Sequence, residues 1–491
     1  MVGMPMNTTM MVGMIFIPLG LMLSGYGVMP RLSKTSSTGA NHLYFHVADG
    51  IPLNHQHWKL VLVLFVAVAV DVMKPATLGF VMPGMMLEYR ISSEKAGVLA
   101  LVALTGTAVG SVLWGILADK FGRRAAILLS ALMFIGTAIC GAMPSFSWNL
   151  VMCFLMGLSA GGLLPITFTL MAECIPSAHR GWLLVALGGV GTAAGYLLAA
   201  GSAAWLEPLF SWRILWMLGL PTGLLVIFLN RYIPESPRFL AEKGFNKEAR
   251  ETLQHFSGNS ENKSDQVVVE KQPQVSGGMA ELYRGPYAAI SAGLVMAGVA
   301  WGLVNFGFLL WLPTYFHSLG YAEEANALLT QSALFAVPGV LLVIWLYHNW
   351  SSVFSLVLFL GLTALALVVF GLVTWFSINS LSIFILVTAF ILICSSGVIA
   401  MLIPYAAEIY PVHLRGTGAG IVAASSKIGG ILGSALGVSG LFQHLSIAAL
   451  IIAVPLLASL LLLFKNGIET RGMKLEDVHE AMVKKGKSVL S

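Results

Sequence analysis

Long uninterrupted apolar runs alternate with short polar stretches along almost the whole chain. A helix needs about 17–25 mostly apolar residues to cross a bilayer. Twelve runs reach that length, at approximately 60–83, 96–118, 125–143, 148–172, 182–205, 212–232, 287–316, 327–347, 353–375, 379–407, 417–440 and 445–465. Membrane β-barrels show short alternating segments instead. A further run at 10–29 is apolar and methionine-rich, with no basic residue ahead of it as a signal peptide would have. It reads either as an extra helix or as translated sequence ahead of the true start. Six of the twelve runs precede a polar stretch at 233–285 and six follow it. The pattern predicts an N-terminal extension (1–57), a six-helix bundle (58–232), a linker (233–285) with a helix near 246–256, a second six-helix bundle (286–465) and a tail (466–491).

Composition narrows the class. Hydrophobic residues make up 57% of the 491 and charged residues 10%, against about 25% charged in soluble domains. A soluble enzyme is excluded, and the expected fold class is all-α and polytopic. The net charge of +5 does not require an anionic polymer such as nucleic acid. Of the 27 Lys and Arg, 22 fall on one side of the twelve-span arrangement, while Arg90, Lys95 and Arg213 fall on the other. The positive-inside rule makes the first side cytoplasmic, with the linker and C-terminus inside.

The four cysteines lie in or at the ends of apolar runs without a CxxC pair, and the histidines form no HExxH motif. Neither a disulfide framework, a metal site nor a cofactor is expected. No P-loop is present, so ATP-driven pumping is not expected either.

The chain repeats itself at an offset of 235 residues. Glu173, Pro176, Arg180 and Gly181 follow the fourth run, and Glu408, Pro411, Arg415 and Gly416 follow the tenth at identical spacing. A duplicated six-helix half, with substrate bound between repeats, is a transporter architecture. Gly106/Gly110, Gly157/Gly161, Gly191/Gly195 and Gly416/Gly420 are small-residue pairs suited to close helix packing.

The loop after the second run reads Gly115-Ile-Leu-Ala-Asp119-Lys-Phe-Gly122-Arg123-Arg124. It resembles the signature loop of the major facilitator superfamily. Both Glu-Arg loops, Pro234-Glu235-Ser-Pro-Arg238 and Glu469-Thr-Arg471-Gly472 resemble motifs of its sugar-porter and organic-ion branches. These matches span residues 60–480. The corresponding loop of the second half, Tyr347-His-Asn-Trp-Ser-Ser352, has neither the acid nor the arginine pair. The resemblance implies rocker-switch alternating access. Asp119, Arg123, Arg124, Glu173, Arg180, Glu235, Arg238, Glu408 and Arg415 are its candidate gating charges, able to make charge-assisted bonds at the cytoplasmic helix ends.

The cargo is read from charges inside the runs. A charge at mid-bilayer costs roughly 2.5–3.5 kcal/mol on insertion scales and marks a functional site. Three stand out: Asp71 and Lys74, which share a helix face at i, i+3, and Lys427, about 15 Å into its helix. Lys427 follows Arg415 by twelve residues. In the organic-ion and aromatic-acid branches that position carries an acid for cations and a base for anions, so the resemblance implies an anionic cargo. Those symporters carry an Asp-x-x-Asp pattern in the first span, which here reads Asp71-Val-Met-Lys74, and their fourth-span arginine is Cys153 here. The glutamines with which sugar porters hold hydroxyls are missing from the fifth and seventh spans. Trp301 and Asn305 are candidate cargo contacts, with Phe306, Phe308, Trp311, Tyr315 and Tyr405 as further aromatic lining. The expectation is a monomeric, proton-coupled carrier of a small organic anion in the plasma (inner) membrane. A sugar or polyol porter and a non-transporting sensor on a carrier fold are the alternatives.

Overall fold

A computed structural model of the chain describes residues 52–91, 93–257, 279–309, 312, 338–339, 341–376, 380–438, 441 and 444–490, with 19, 20 and 23 near the start. The rest of the 10–29 run, most of the 327–347 run, Trp311 and Tyr315 lie outside the described residues. Among those described, the secondary structure is helical, and eleven helices are long and apolar enough to cross a membrane.

The first six runs form α1 (His55–Tyr89), α2 (Ser93–Phe121), α3 (Arg123–Gly136), α4 (Phe146–Cys174), α5 (Ser177–Phe210) and the pair α6 (Arg213–Met217) and α7 (Gly219–Leu229). Asn54 caps α1, accepting from the backbone N–H groups of Gln56 and His57 at 3.0 and 3.2 Å. Helix α3 tightens at its end into a 3₁₀ turn, Thr137–Ala142. Two short helices follow in the linker, α8 (Pro237–Glu242) and α9 (Asn246–Ser257), packed through Leu240, Ala241 and Ala249.

The later runs form α10 (Ala288–Gly302), α11 (341–349), α12 (Ser352–Trp375), α13 (Leu381–Ile409), α14 (Val412–Val438) and α15 (Leu445–Asn466). The tail adds α16 (Leu475–Leu490). Helix α10 continues into a π-helical segment, Leu303–Phe308.

Contacts divide the chain into two compact units. The first holds α1–α4, most of α5, α6–α9 and the opening turns of α14, Val412–Gly420. The second holds Gly181–Gly189, α10–α13, the rest of α14, α15 and α16. Glycines permit the closest approaches. In the first unit a Cβ at Gly106 would meet the Phe154 carbonyl, and one at Gly157 the Ala103 carbonyl, so α2 and α4 touch along their backbones. Apolar side chains also face outward, Trp205 at 75% and Leu461 at 65% exposure. Such a surface suits lipid rather than water.

Candidate functional site

Three clusters hold most of the candidate residues. The first lies on α1. Asp71 and Lys74 are both buried. The Lys74 ammonium donates to the Phe134 carbonyl at 2.9 Å and to Thr137 Oγ1 at 2.8 Å, and lies 4.0 Å from the centre of the Phe134 ring. These acceptors sit where α3 tightens into its 3₁₀ turn, which leaves carbonyl lone pairs available. Lys74 is therefore turned toward the third span, and Asp71 is not among its hydrogen-bond or ion-pair partners. Sequence spacing put the two on one helix face without showing which neighbour takes the lysine.

The second cluster is in the second unit. Trp301 Nε1 donates to the Ser395 carbonyl of α13 at 2.8 Å, and Asn305 Nδ2 to the Trp301 carbonyl at 3.1 Å. The Trp301 and Phe306 rings meet edge to face, 5.8 Å between centroids. The Lys427 ammonium of α14 lies 5.5 Å from the centre of the Phe306 ring, within cation–π range. Gly302, Gly429, Gly430 and Gly433 bring α14 against the π-helical segment: a Cβ at Gly430 would collide with Phe306, and one at Gly302 with the Ser426 carbonyl. Trp301, Asn305, Phe306 and Lys427 keep partial exposure, whereas their neighbours Gly302–Val304 and Val422–Ser426 are buried. π-Bulges of this kind recur at functional sites because they re-aim side chains.

The third cluster joins the signature loop to the start of α14, within the first unit. Arg123, fully buried, meets Glu173 Oε1 at 2.9 Å and Asp119 Oδ1 at 3.3 Å. It also donates to the Val412 carbonyl at 2.9 Å. Arg415 reaches the same Glu173 oxygen at 2.9 Å. Asp119 accepts from the Gly416 N–H at 3.0 Å and from the Thr417 N–H and hydroxyl, each at 2.7 Å. Val412 C=O and Gly416 N–H are i, i+4 partners within α14, so the Asp119–Arg123 pair engages both ends of one helical turn. Arg238 donates to the Glu173 carbonyl at 2.8 Å.

Glu235 has a role that its charge alone did not suggest. It accepts from the Arg123 and Arg124 N–H groups at 2.8 and 3.2 Å, capping α3 from outside the helix. The local N-cap residue, Gly122, has φ +102° and no side chain for the task; a Cβ there would run into the Glu235 carboxylate. Burial pushes the Glu235 carboxyl above the usual range, opposed by these N–H groups and the Arg123 charge. The Arg124 side chain is exposed and contributes its backbone to this cap, whereas Arg180 is buried.

The second half builds the counterpart from hydroxyls. Glu469 caps α12, accepting from the Ser352 N–H at 2.9 Å and its hydroxyl at 2.6 Å, and from the Ser351 hydroxyl. Glu408 Oε2 accepts from Tyr347 at 2.9 Å and from Thr470 Oγ1 at 2.6 Å. Tyr347, Ser351, Ser352, Thr417 and Thr470 were not among the candidates. The only cue to the hydroxyls of the second half was the absence of acid and arginines from its loop.

A set of apolar helical spans, with charges at one set of helix ends and a cation among aromatics inside, has the form of a membrane carrier. The Major Facilitator Superfamily model matches residues 62–434, and the chain belongs to that family. It is an integral membrane transporter, not an enzyme. Among its relatives, the niacin transporter NiaP of Acinetobacter baylyi is 26% identical over 441 residues, covering 88% of this chain and 98% of the relative. The 4-hydroxybenzoate transporter PcaK of the same organism is 27% identical over 430 residues, covering 85% and 92%. The proton:xylose symporter XylE shares the fold, with a TM-score of 0.75 at 18% identity over 87% of this chain and 98% of its own.

Proposed function

We propose that this transporter carries a small organic anion, an aromatic carboxylate above all, together with protons by alternating access. The observation that carries the reading is the Lys427 ammonium beside the Phe306 ring, with Trp301 edge-on and all three partly exposed. A cation next to aromatic faces is what a benzoate-like anion needs: charge for the carboxylate and π surface for the ring. The relatives named for niacin and 4-hydroxybenzoate support the same class of cargo. A sugar would need many more hydrogen-bonding groups than Asn305 offers here.

Asp71, a carboxyl buried in the first span, is the proton carrier in this reading. Lys74, held by neutral oxygens of the third span, supports the bundle rather than the cargo. Asp119, Arg123, Glu173, Arg238 and Arg415 hold the opening turns of α14 in place and release them when the cytoplasmic end opens. The protein works as a monomer in the plasma (inner) membrane, with linker and C-terminus cytoplasmic.

The test is uptake into proteoliposomes under an imposed proton gradient. Labelled 4-hydroxybenzoate, an aliphatic monocarboxylate and a hexose are compared, with Lys427→Ala in parallel. Proton-driven accumulation of the aromatic acid that is lost in Lys427→Ala is the expected result. Hexose uptake indifferent to the substitution would overturn it.

A further inference from the structure

Between Glu469 and Glu408 runs an unbroken chain of oxygens. Glu469 Oε1 lies 2.6 Å from Ser352 Oγ, which lies 2.8 Å from Thr470 Oγ1, which lies 2.6 Å from Glu408 Oε2. All three separations are those of O–H···O hydrogen bonds. Each contact needs a hydrogen, yet Ser352 and Thr470 have one hydroxyl hydrogen apiece. Tyr347 spends its own on Glu408, and Ser351 on Glu469. Two hydrogens cannot fill three contacts. With both carboxylates ionised, one pair of oxygens faces lone pair to lone pair at hydrogen-bond distance.

We propose that this chain is a proton-loading site, which takes up one proton from the side of Glu469 and stores it at Glu408. The proposal rests on the proton-coupled reading above and assigns coupling a second site, apart from Asp71. A proton arriving at Glu469 Oε1 completes the set: Glu469 donates to Ser352, Ser352 to Thr470, and Thr470 to Glu408. Moving each hydrogen across its own contact leaves the same three bonds reversed. Glu408 then holds the proton and donates to Thr470, Thr470 to Ser352, and Ser352 to an ionised Glu469. No heavy atom moves, and one proton enters for each one stored.

The surroundings of the outer end keep a proton from resting there. Glu469 is half-buried, and burial alone would raise its carboxyl. The hydroxyls of Ser351 and Ser352 and the N–H groups of Ser352 and Arg471 outweigh that and hold it below the usual carboxylate range. The Thr470 N–H adds a further bond to Ser352 Oγ at 2.9 Å. Ser352 thus accepts two hydrogens and donates one at either end of the proton's path. Glu408, buried, faces Tyr347 from α11 and Thr470 from the tail, and keeps a further contact beyond this chain. Tyr405, one turn earlier on α13, is tied to the Ile468 carbonyl at 2.7 Å, and Arg471 to the Asn349 and Trp350 carbonyls at 2.7 and 2.8 Å.

The test is infrared difference spectroscopy across a pH step, on the full chain in liposomes. The wild type is expected to show a protonated-carboxyl C=O band that shifts in heavy water and is lost in Glu408→Gln. It is also expected to be lost in Thr470→Val, which keeps both carboxyls but removes the unfilled contact. A band absent from the wild type, or persisting unchanged in Thr470→Val, overturns the proposal. In the same liposomes, Thr470→Val should lower proton-driven uptake of 4-hydroxybenzoate about tenfold more than its counterflow; equal losses count against the chain. The infrared arm needs no cargo. Uptake indifferent to the proton gradient would therefore remove the coupling reading separately, while the spectra decide the chain.

Discussion

Asp119→Asn is the sharpest probe of the signature loop. Asp119 Oδ1 holds the Gly416 N–H and the Arg123 guanidinium, and Oδ2 holds the Thr417 N–H and hydroxyl. The amide keeps one acceptor oxygen and presents an NH₂ to the other pair. Keeping oxygen toward Thr417 saves two bonds, so the Gly416 N–H loses its carboxylate partner and Arg123 faces a donor. A hydrogen bond to a charged acceptor contributes about 1.5–3 kcal/mol. Arg123 retains Glu173 and the Val412 carbonyl, which limits its share of the loss. The sum is about 2–4 kcal/mol, or roughly 30- to 1,000-fold in the opening equilibrium of this turn. Hydrogen exchange of the peptide over 412–420 reads it directly, since local opening governs amide protection there. Exchange at Gly416 and Thr417 should accelerate by that factor, with α15 unchanged as the internal control. Acceleration below about threefold, less than 1 kcal/mol, would refute the view that Asp119 holds the start of α14.

Gly122→Ala forces a side chain into a positive-φ residue and against Glu235. The cost is about 2–3 kcal/mol, read as a lowered melting temperature of purified protein; an unchanged melting temperature would remove the argument for the α3 cap. Glu469→Gln tests the carboxyl held below its usual range. The stability that Glu469 contributes is present above the ordinary carboxylate value and lost as pH falls through the lower folded value. The stability gap between wild type and variant should therefore close in acid, and a gap independent of pH would contradict it. Phe306→Ala removes the ring between Trp301 and Lys427; at about 1–2 kcal/mol for the lost aromatic contacts, KM for 4-hydroxybenzoate should rise roughly 5- to 30-fold. Equal KM values would place the cargo elsewhere.

The helical architecture was legible in the sequence because span length and hydropathy are local properties, summed over some twenty residues. The break into two halves and the repeated Glu-Arg loops were legible for the same reason: they are spacings along one chain. The partners of Asp119, Arg123, Glu173 and Arg415 were legible only as a set of charges near helix ends. Tertiary packing decided that Asp119 grips backbone N–H groups, that Arg124 points outward and that Glu235 caps a helix 112 residues away. It also turned Lys74 from Asp71 toward Phe134 and Thr137, where the 3₁₀ turn places two acceptors within reach of the ammonium. In the second half, the loop without acid or arginines gave no hint of what replaced them. Hydroxyls from Ser352 and Thr470, 118 residues apart, meet only when the chain is folded. Apolar periodicity determines which segments become helices and roughly how deep each residue lies. Which side chain a buried polar group meets depends on helix rotation and contact distances of a few tenths of an ångström. Those are set by the packing of the whole molecule, through glycines such as Gly122 and Gly430 that let one partner come close enough to bond.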